Sequence, residues 1–249
     1  MKVLEVLYQW ILGLYDEIRF RLYHGPVFHR FLNRKYHYYT KLPWPLKMRF
    51  LRLVRDHYEY FDFVGREMKV TRGMKAIVSA AAAQLVMYLP QMSLTYFERI
   101  VIYPDYYNSR ITHKLHKGEV NPGFHLIVFS WRGVMEGLAR DEDGLNLLLH
   151  EFAHALWLET KLMSENYRVL PVSVMVEFEK LAEREMNALH ADEQHFFRRY
   201  AFANIEEFFA VAVESFFERP ESFSRQLPEL YQCLIRMFRQ NPLLPGQRQ

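Results

Sequence analysis

Cysteine is nearly missing from this 249-residue chain: Cys233 is the only one, and it lies in the helix-like run LYQCLIRMF. Neither a disulfide framework nor a thiolate metal site is therefore open to it, and a reducing compartment fits best. Long hydrophobic runs are missing too. VLYQWILGLY near the N-terminus and AIVSAAAAQLVMYLP further on both fall short of the roughly 20 apolar residues of a membrane span. No small-residue cleavage pattern marks a secretory signal. These absences predict a soluble, cytoplasmic protein. No internal repeat or low-complexity linker divides the chain, and its length suits one domain or at most two.

Acidic residues are absent from one stretch. Residues 18–55 hold ten Lys or Arg and no Asp or Glu, so the rest of the chain carries 22 basic against 29 acidic residues and the net charge of +3 hides a polarised molecule. Tyr23, Phe28, Phe31, Tyr36, Tyr38, Tyr39 and Trp44 interleave with these cations, and an amphipathic run from Val3 to Tyr15 precedes them. Such a stretch serves as a solvated face paired with the acidic remainder, or meets nucleic acid or anionic lipid. No nucleic-acid motif accompanies it, so direct nucleic-acid binding is not expected. Peripheral contact with an anionic membrane surface is the sharper expectation.

What is present reads as helices, then strands, then helices. LPWPLKMRFLRLVRDHYEYF, apolar at Leu46, Phe50, Leu53 and Val54, predicts a helix begun at prolines, and the alanine-rich run from Met74 to Leu89 a second, stopped by Pro90. RIVIYP and GFHLIVFSW are strand candidates, the latter opened by the turn-forming Asn121-Pro122-Gly123, and NSRITHKLHKGEV between them alternates imperfectly as a third. Helical patterns follow over residues 145–160, 172–189, 205–217 and 228–240. The fold class is α+β, a small sheet packed by many helices.

Residues 146–157, NLLLHEFAHALW, carry the chemistry. In a helix His150 and His154 project from one face a turn apart and close on a single ion, while Glu151 reaches a metal-activated water without being a ligand, the H-E-x-x-H logic of zinc peptidases. The helix is apolar almost all round and so belongs inside, where two histidines and a glutamate are costly to bury unless a metal pairs with them. A third ligand must come from elsewhere. The apolar run ANIEEFFAVAVESFFERPESF offers Glu206, Glu207, Glu214 and Glu218; spacing alone does not choose between Glu207 and Glu214.

HEFAH, followed by YAFANIEEFFAVAVESFFERPESF, resembles the Mlc titration factor A peptidases, a bacterial zincin family with a catalytic core similar to that of anthrax lethal factor. RIVIYP, PGFHLIVFSW and LPELYQCLIRMFRQNPL extend the likeness over roughly residues 39–243. The resemblance implies one zinc ion held by His150, His154 and Glu207, with Glu151 as general base and Tyr200, seven residues before the ligand glutamate, as a catalytic hydrogen-bond donor. Trp157 stands where the family often has an aspartate, so a carboxylate orienting a ligand imidazole is either absent or supplied from elsewhere, such as by Glu214. The resulting expectation is a basic, aromatic segment over residues 1–40 and a zincin-like metallopeptidase domain over 41–249, mostly helical, with GFHLIVFSW as the sheet edge above the cleft. The expected activity is peptide-bond hydrolysis on a peptide or protein substrate. The alternative is a regulatory protein that binds a transcriptional repressor, its peptidase activity secondary.

Overall fold

A computed structural model describes residues 2–89, 94–108, 115–139, 144–163, 169–188 and 195–244. The chain opens with α1 (Lys2–Arg19), passes through a π-turn at Phe20–His24 and continues as α2 (Gly25–Lys35). Arg19, His24 and Gly25 all have right-handed helical angles, so residues 2–35 form one unbroken helix. α3 (His37–Lys41) and α4 (Trp44–Tyr60) follow, the latter with the expected proline start. Phe20, Phe28, Leu32, Tyr36 and Tyr39 are buried in the same core as Phe50 and Val54 of α4. Packing thus draws residues 20–39 into the body, whereas the described apolar side chains of α1 are exposed.

β1 (Asp62–Gly65) leads to α5 (Arg72–Val86), whose capping Thr71 accepts from the backbone N–H of Met74. Pro90, the expected stop, lies outside the described residues. Next come β2 (Arg99–Tyr103), β3 (Tyr107–Asn108), β4 (Leu115–His116), β5 (Gly118–Asn121) and β6 (Leu126–Ser130). β3 and β4 pair by themselves, whereas β1, β2 and β6 run parallel in that order and β5 closes the sheet antiparallel to β6. Two expectations change here. NSRITHKLHKGEV is not one strand: residues 109–114 lie outside the described residues, and β4 and β5 are separate pieces in different sheets. GFHLIVFSW is not the edge either. β6 pairs on both sides, which suits its continuous apolar run, and the edge is β5, GEVN, half-buried throughout.

The period of two along the strands sorts the side chains. Ile100, Ile102, Ile127 and Phe129 face the helical core, while Val101 and Val128 face the other way under Tyr107, whose ring stacks on Tyr103 at 4.6 Å between centroids. On the core side lie α6 (Trp131–Leu138) and α7 (Leu147–Leu162), then α8 (Val172–Ala188), α9 (Ile205–Glu218), α10 (Pro220–Gln226) and α11 (Pro228–Phe238). The helices read from sequence sit within a few residues of these bounds, except that Leu189 lies outside the described residues. The architecture is α+β, mostly helical with a small mixed sheet.

Candidate metal centre

α7 begins at Asn146, whose side-chain carbonyl accepts from Leu149 N at 3.1 Å, and just before it Gly144 takes a φ of +71°, open to glycine at little cost. From that start His150 and Glu151 fall in the second turn, and both are buried with Leu148, Leu149, Phe152 and Ala153 around them. The same helix carries a second buried carboxylate, Glu159, which accepts backbone N–H groups of Leu94, Thr95 and Tyr96 at 2.7–3.1 Å. Its three donors explain its burial, so it is an anchor for the chain before β2 and no part of the centre.

α9 is capped in the same manner: Asn204 accepts from Glu207 N at 2.8 Å, which fixes Glu207 in the first turn, where the helix dipole favours a carboxylate. Phe208, Phe209 and Phe216 are fully buried, each contributing about 1.5–3 kcal/mol to holding α9 against the core. Phe209 packs on Trp157 of α7 at 4.8 Å between centroids. Trp157 thus spends its bulk on joining the two helices and offers no carboxylate.

Where the helices meet, His150 Nε2, His154 Nε2 and Glu207 Oε2 converge, at 3.1 Å between the two nitrogens and 3.3 and 3.5 Å from them to the oxygen. Donor atoms around a tetrahedral zinc with bonds of about 2.0–2.1 Å stand about 3.3 Å apart. No other trio of His, Cys, Asp or Glu among the described residues comes together like this. Glu207 Oε2 is buried and makes no hydrogen bond, a polar atom that is expensive to leave so unless a cation meets it. His150 Nδ1 donates to Glu214 Oε1 at 2.7 Å, which in the neutral ring leaves the lone pair on Nε2, aimed at the shared point. Glu214, itself buried, accepts from Arg198 Nη2 at 2.7 Å and from Asn146 N at 2.8 Å. The residues present therefore fit a divalent metal.

The carboxylates around the point favour positive charge there, whether a proton or a metal ion. Burial disfavours a charged His150, but the Glu207 and Glu214 carboxylates outweigh it and push its pKa up to about 10. Burial also works against an ionised Glu207, yet His150 and His154 hold it well below the usual carboxylate range. Glu151 moves the opposite way: burial raises it, with the two imidazoles opposing. Glu151 also lies directly under the sheet edge. A Cβ on Gly118 would come within 2.5 Å of Glu151 Oε1, so only glycine lets β5 pass so close. Tyr200, in a 3-10 turn at Arg199–Ala203, is exposed but donates to Glu207 Oε1 at 2.8 Å. Burial of its hydroxyl and the Glu207 carboxylate raise its pKa, which keeps the proton it donates.

All five residues singled out in the sequence, His150, Glu151, His154, Tyr200 and Glu207, thus lie around one point. Of the other glutamates on α9, Glu214 sits behind His150 and Glu218 accepts from the Asn146 side chain at 2.9 Å. Arg198 and Gly118 went unread. Arg198 is one cation among many in the sequence, and only the fold brings it to Glu214. A cavity of about 430 Å³ lies elsewhere, lined by α2, α3 and the chain near Gln240. The centre is overhung instead by a strand.

Three side chains that could hold one cation, with a buried carboxylate on the neighbouring residue, are an arrangement found in metallopeptidases. Comparison with known proteins agrees: the model of the glucose-regulated metallo-peptidase M90 family matches residues 23–239, and the chain belongs to that family. It is 27% identical over 194 residues to the Mlc titration factor A of Edwardsiella ictaluri, covering 72% of this chain and 74% of that protein. It is 30% identical over 123 residues to the Mlc titration factor A of Pectobacterium atrosepticum, where the match spans 47% of this chain and 46% of the relative, under half of its length.

Proposed function

We propose that the chain is a zinc-dependent peptidase with a zincin-like core, in which His150, His154 and Glu207 hold one zinc ion and Glu151 is the general base. The observation that carries this reading is the buried Glu207 Oε2, which makes no hydrogen bond and faces two imidazole nitrogens at tetrahedral spacing. When bound, the metal supplies Lewis acidity, which eases loss of a proton from water and draws charge from a carbonyl oxygen. Glu151 takes the proton as the water oxygen attacks the peptide carbonyl carbon, then passes it to the amine as the C–N bond breaks. Its raised pKa suits both halves of that exchange. Tyr200 donates a hydrogen bond to the developing oxyanion, turning from Glu207 to do so. The free edge of β5 pairs with an extended substrate, which is then gripped mainly by its backbone, and Gly118 brings that edge directly over Glu151.

The test is cleavage of a broad peptide library by zinc-loaded protein beside Glu151→Gln. The variant should retain zinc and fold and lose at least about a hundredfold in rate. Equal, background-level hydrolysis by both would sink the peptidase reading. A second reading has support in the names of the relatives, which are titration factors for Mlc: the chain acts by binding a transcriptional regulator. In that case Glu151→Gln retains its effect in cells.

A further inference from the structure

α1 is an apolar helix whose described apolar side chains are all exposed. Tyr8, Ile11, Tyr15, Ile18 and Leu22 recur at the three- and four-residue spacing of one helical face, with Trp10 and Leu14 beside them, and all seven are exposed. Glu5, Gln9, Gly13, Asp16 and Arg19 fall at the spacing of the opposite face. The unbroken backbone from α1 through the π-turn into α2 makes this an extension of a helix rooted in the core by Phe20, Phe28 and Leu32. At about 1.5 Å per residue α1 reaches about 27 Å from that root. No helix among the described residues is long and apolar enough to cross a membrane.

We infer that α1 lies in the headgroup layer of an anionic phospholipid membrane and that the cations following it bind the lipid phosphates. Charge decides the occupant. Arg19, Arg30, Arg34, Lys35 and Lys41 are exposed, and the ion pairs formed by this stretch run instead from Arg21 and Arg52 to Glu17 and from Arg55 to Asp56. Two copies docked through α1 would bring these uncompensated cations together, whereas an anionic surface neutralises them. Tyr8, Trp10, Tyr15 and Tyr23, all exposed, supply the amphipathic rings that favour the membrane–water boundary. A wide apolar face with aromatics, joined to basic residues, is the pattern of a helix that lies on a membrane. The inference does not depend on the metal centre, since none of these residues touches it.

The full-length chain is floated with vesicles of phosphatidylcholine alone and of phosphatidylcholine mixed with phosphatidylglycerol. It should rise with the mixed vesicles and not the neutral ones, less so as salt is added. Trp10→Glu with Ile11→Glu should abolish flotation, and each of Arg30→Ala and Lys35→Ala should weaken it about fivefold. Zinc content should be unchanged in all of them, which separates lipid binding from the chemistry of the centre. Because Trp10 and Ile11 are exposed, the Glu variant should melt with the wild type; if it does not, the exposed Arg30 and Lys35 variants carry the test. The proposal is overturned if wild-type protein ignores the mixed vesicles or floats equally with neutral ones. It is also overturned if sedimentation finds a dimer that Trp10→Glu with Ile11→Glu converts to monomer, for then a second copy covers the face.

Discussion

α9 buries nine consecutive residues from Phe208 to Phe216, whereas every described apolar side chain of α1 from Val6 to Ile18 is exposed. Both are helices rich in aliphatic and aromatic residues, so apolar content alone does not say where a helix ends up. The polar residues tell them apart. On α9 each described carboxylate near the centre meets a group from another element: Glu207 faces His150 and His154, Glu214 holds His150 and Arg198, and Glu218 holds Asn146. On α1 the polar residues are spaced as a strip along the helix, and among its described side chains Glu17, at its end, reaches another element, at Arg52. A helix whose polar groups converge on partners is part of a machine; a helix whose polar groups line one side is made for a boundary.

The sharpest way to break this contrast is to remove a carboxylate from α9. Glu207→Ala should lose zinc by about a thousandfold or more in affinity, because two imidazoles alone make a poor site, and dialysis followed by metal analysis would read it. Glu206→Ala, one residue away, should leave zinc in place. Were the two variants equally metal-poor, the third ligand would not be Glu207. Glu214→Gln removes the charge behind His150 and keeps the volume, so zinc affinity should fall by about 10–100-fold with the fold intact. Arg198→Ala should move in the same direction by less, since it acts on His150 only through Glu214.

The pKa of His150 gives the centre a pH signature of definite sign. Without metal its ring keeps a second proton up to about pH 10. Zinc must displace that proton, so the apparent affinity should rise with pH, by about tenfold per unit while one proton is released. Calorimetry at pH 7.5 in two buffers of different ionisation enthalpy should count about one proton per zinc. Affinity independent of pH would mean that His150 is already neutral and that the carboxylates around it do not act as described.

The histidine pair was legible in the sequence because helical spacing is rigid: residues four apart on one helix share a face whatever the fold does around them. Spacing narrowed the third carboxylate only to Glu207 or Glu214, since both lie on nearly the same face two turns apart, and only the family resemblance chose Glu207; packing sets the few ångströms that bring Glu207 to both imidazoles and Glu214 behind His150. The sheet edge was misread for a different reason. β6 is rich in β-branched and aromatic residues and announces itself, while β5, GEVN, is short and polar. Its strand character comes from pairing with β6 rather than from its own preference. The unbroken run from α1 into α2 passes through Gly25-Pro26. Pro26 is accommodated beside the π-turn, where the hydrogen bonding has already shifted so that Gly25 N–H reaches Phe20 O.

Gly118 tests the meeting of strand and helix. Gly118→Ala puts a methyl group within 2.5 Å of Glu151 Oε1, and since β5 is paired to β6 the carboxylate has to give way. Zinc content should hold, because no ligand is touched, while turnover drops by about tenfold or more from a displaced base. A silent substitution would show that β5 is free to lift.

The smallest expected effect sharpens the comparison most directly. Phe209→Ala deletes a ring fully buried against Trp157, Phe178 and Phe238, and should cost about 3–5 kcal/mol in urea unfolding. Trp10→Ser deletes a larger ring whose surface is 65% exposed, and should cost under about 0.5 kcal/mol, the range of surface changes. The larger side chain contributes less because folding takes so little of it out of water; stability follows the area buried, not the area present. If Trp10→Ser instead destabilised the isolated chain by more than about 1.5 kcal/mol, α1 would be packed in solution, against its own chain or another copy. The apolar face would then already be covered, and the contrast between the two helices would be one of partner rather than of exposure.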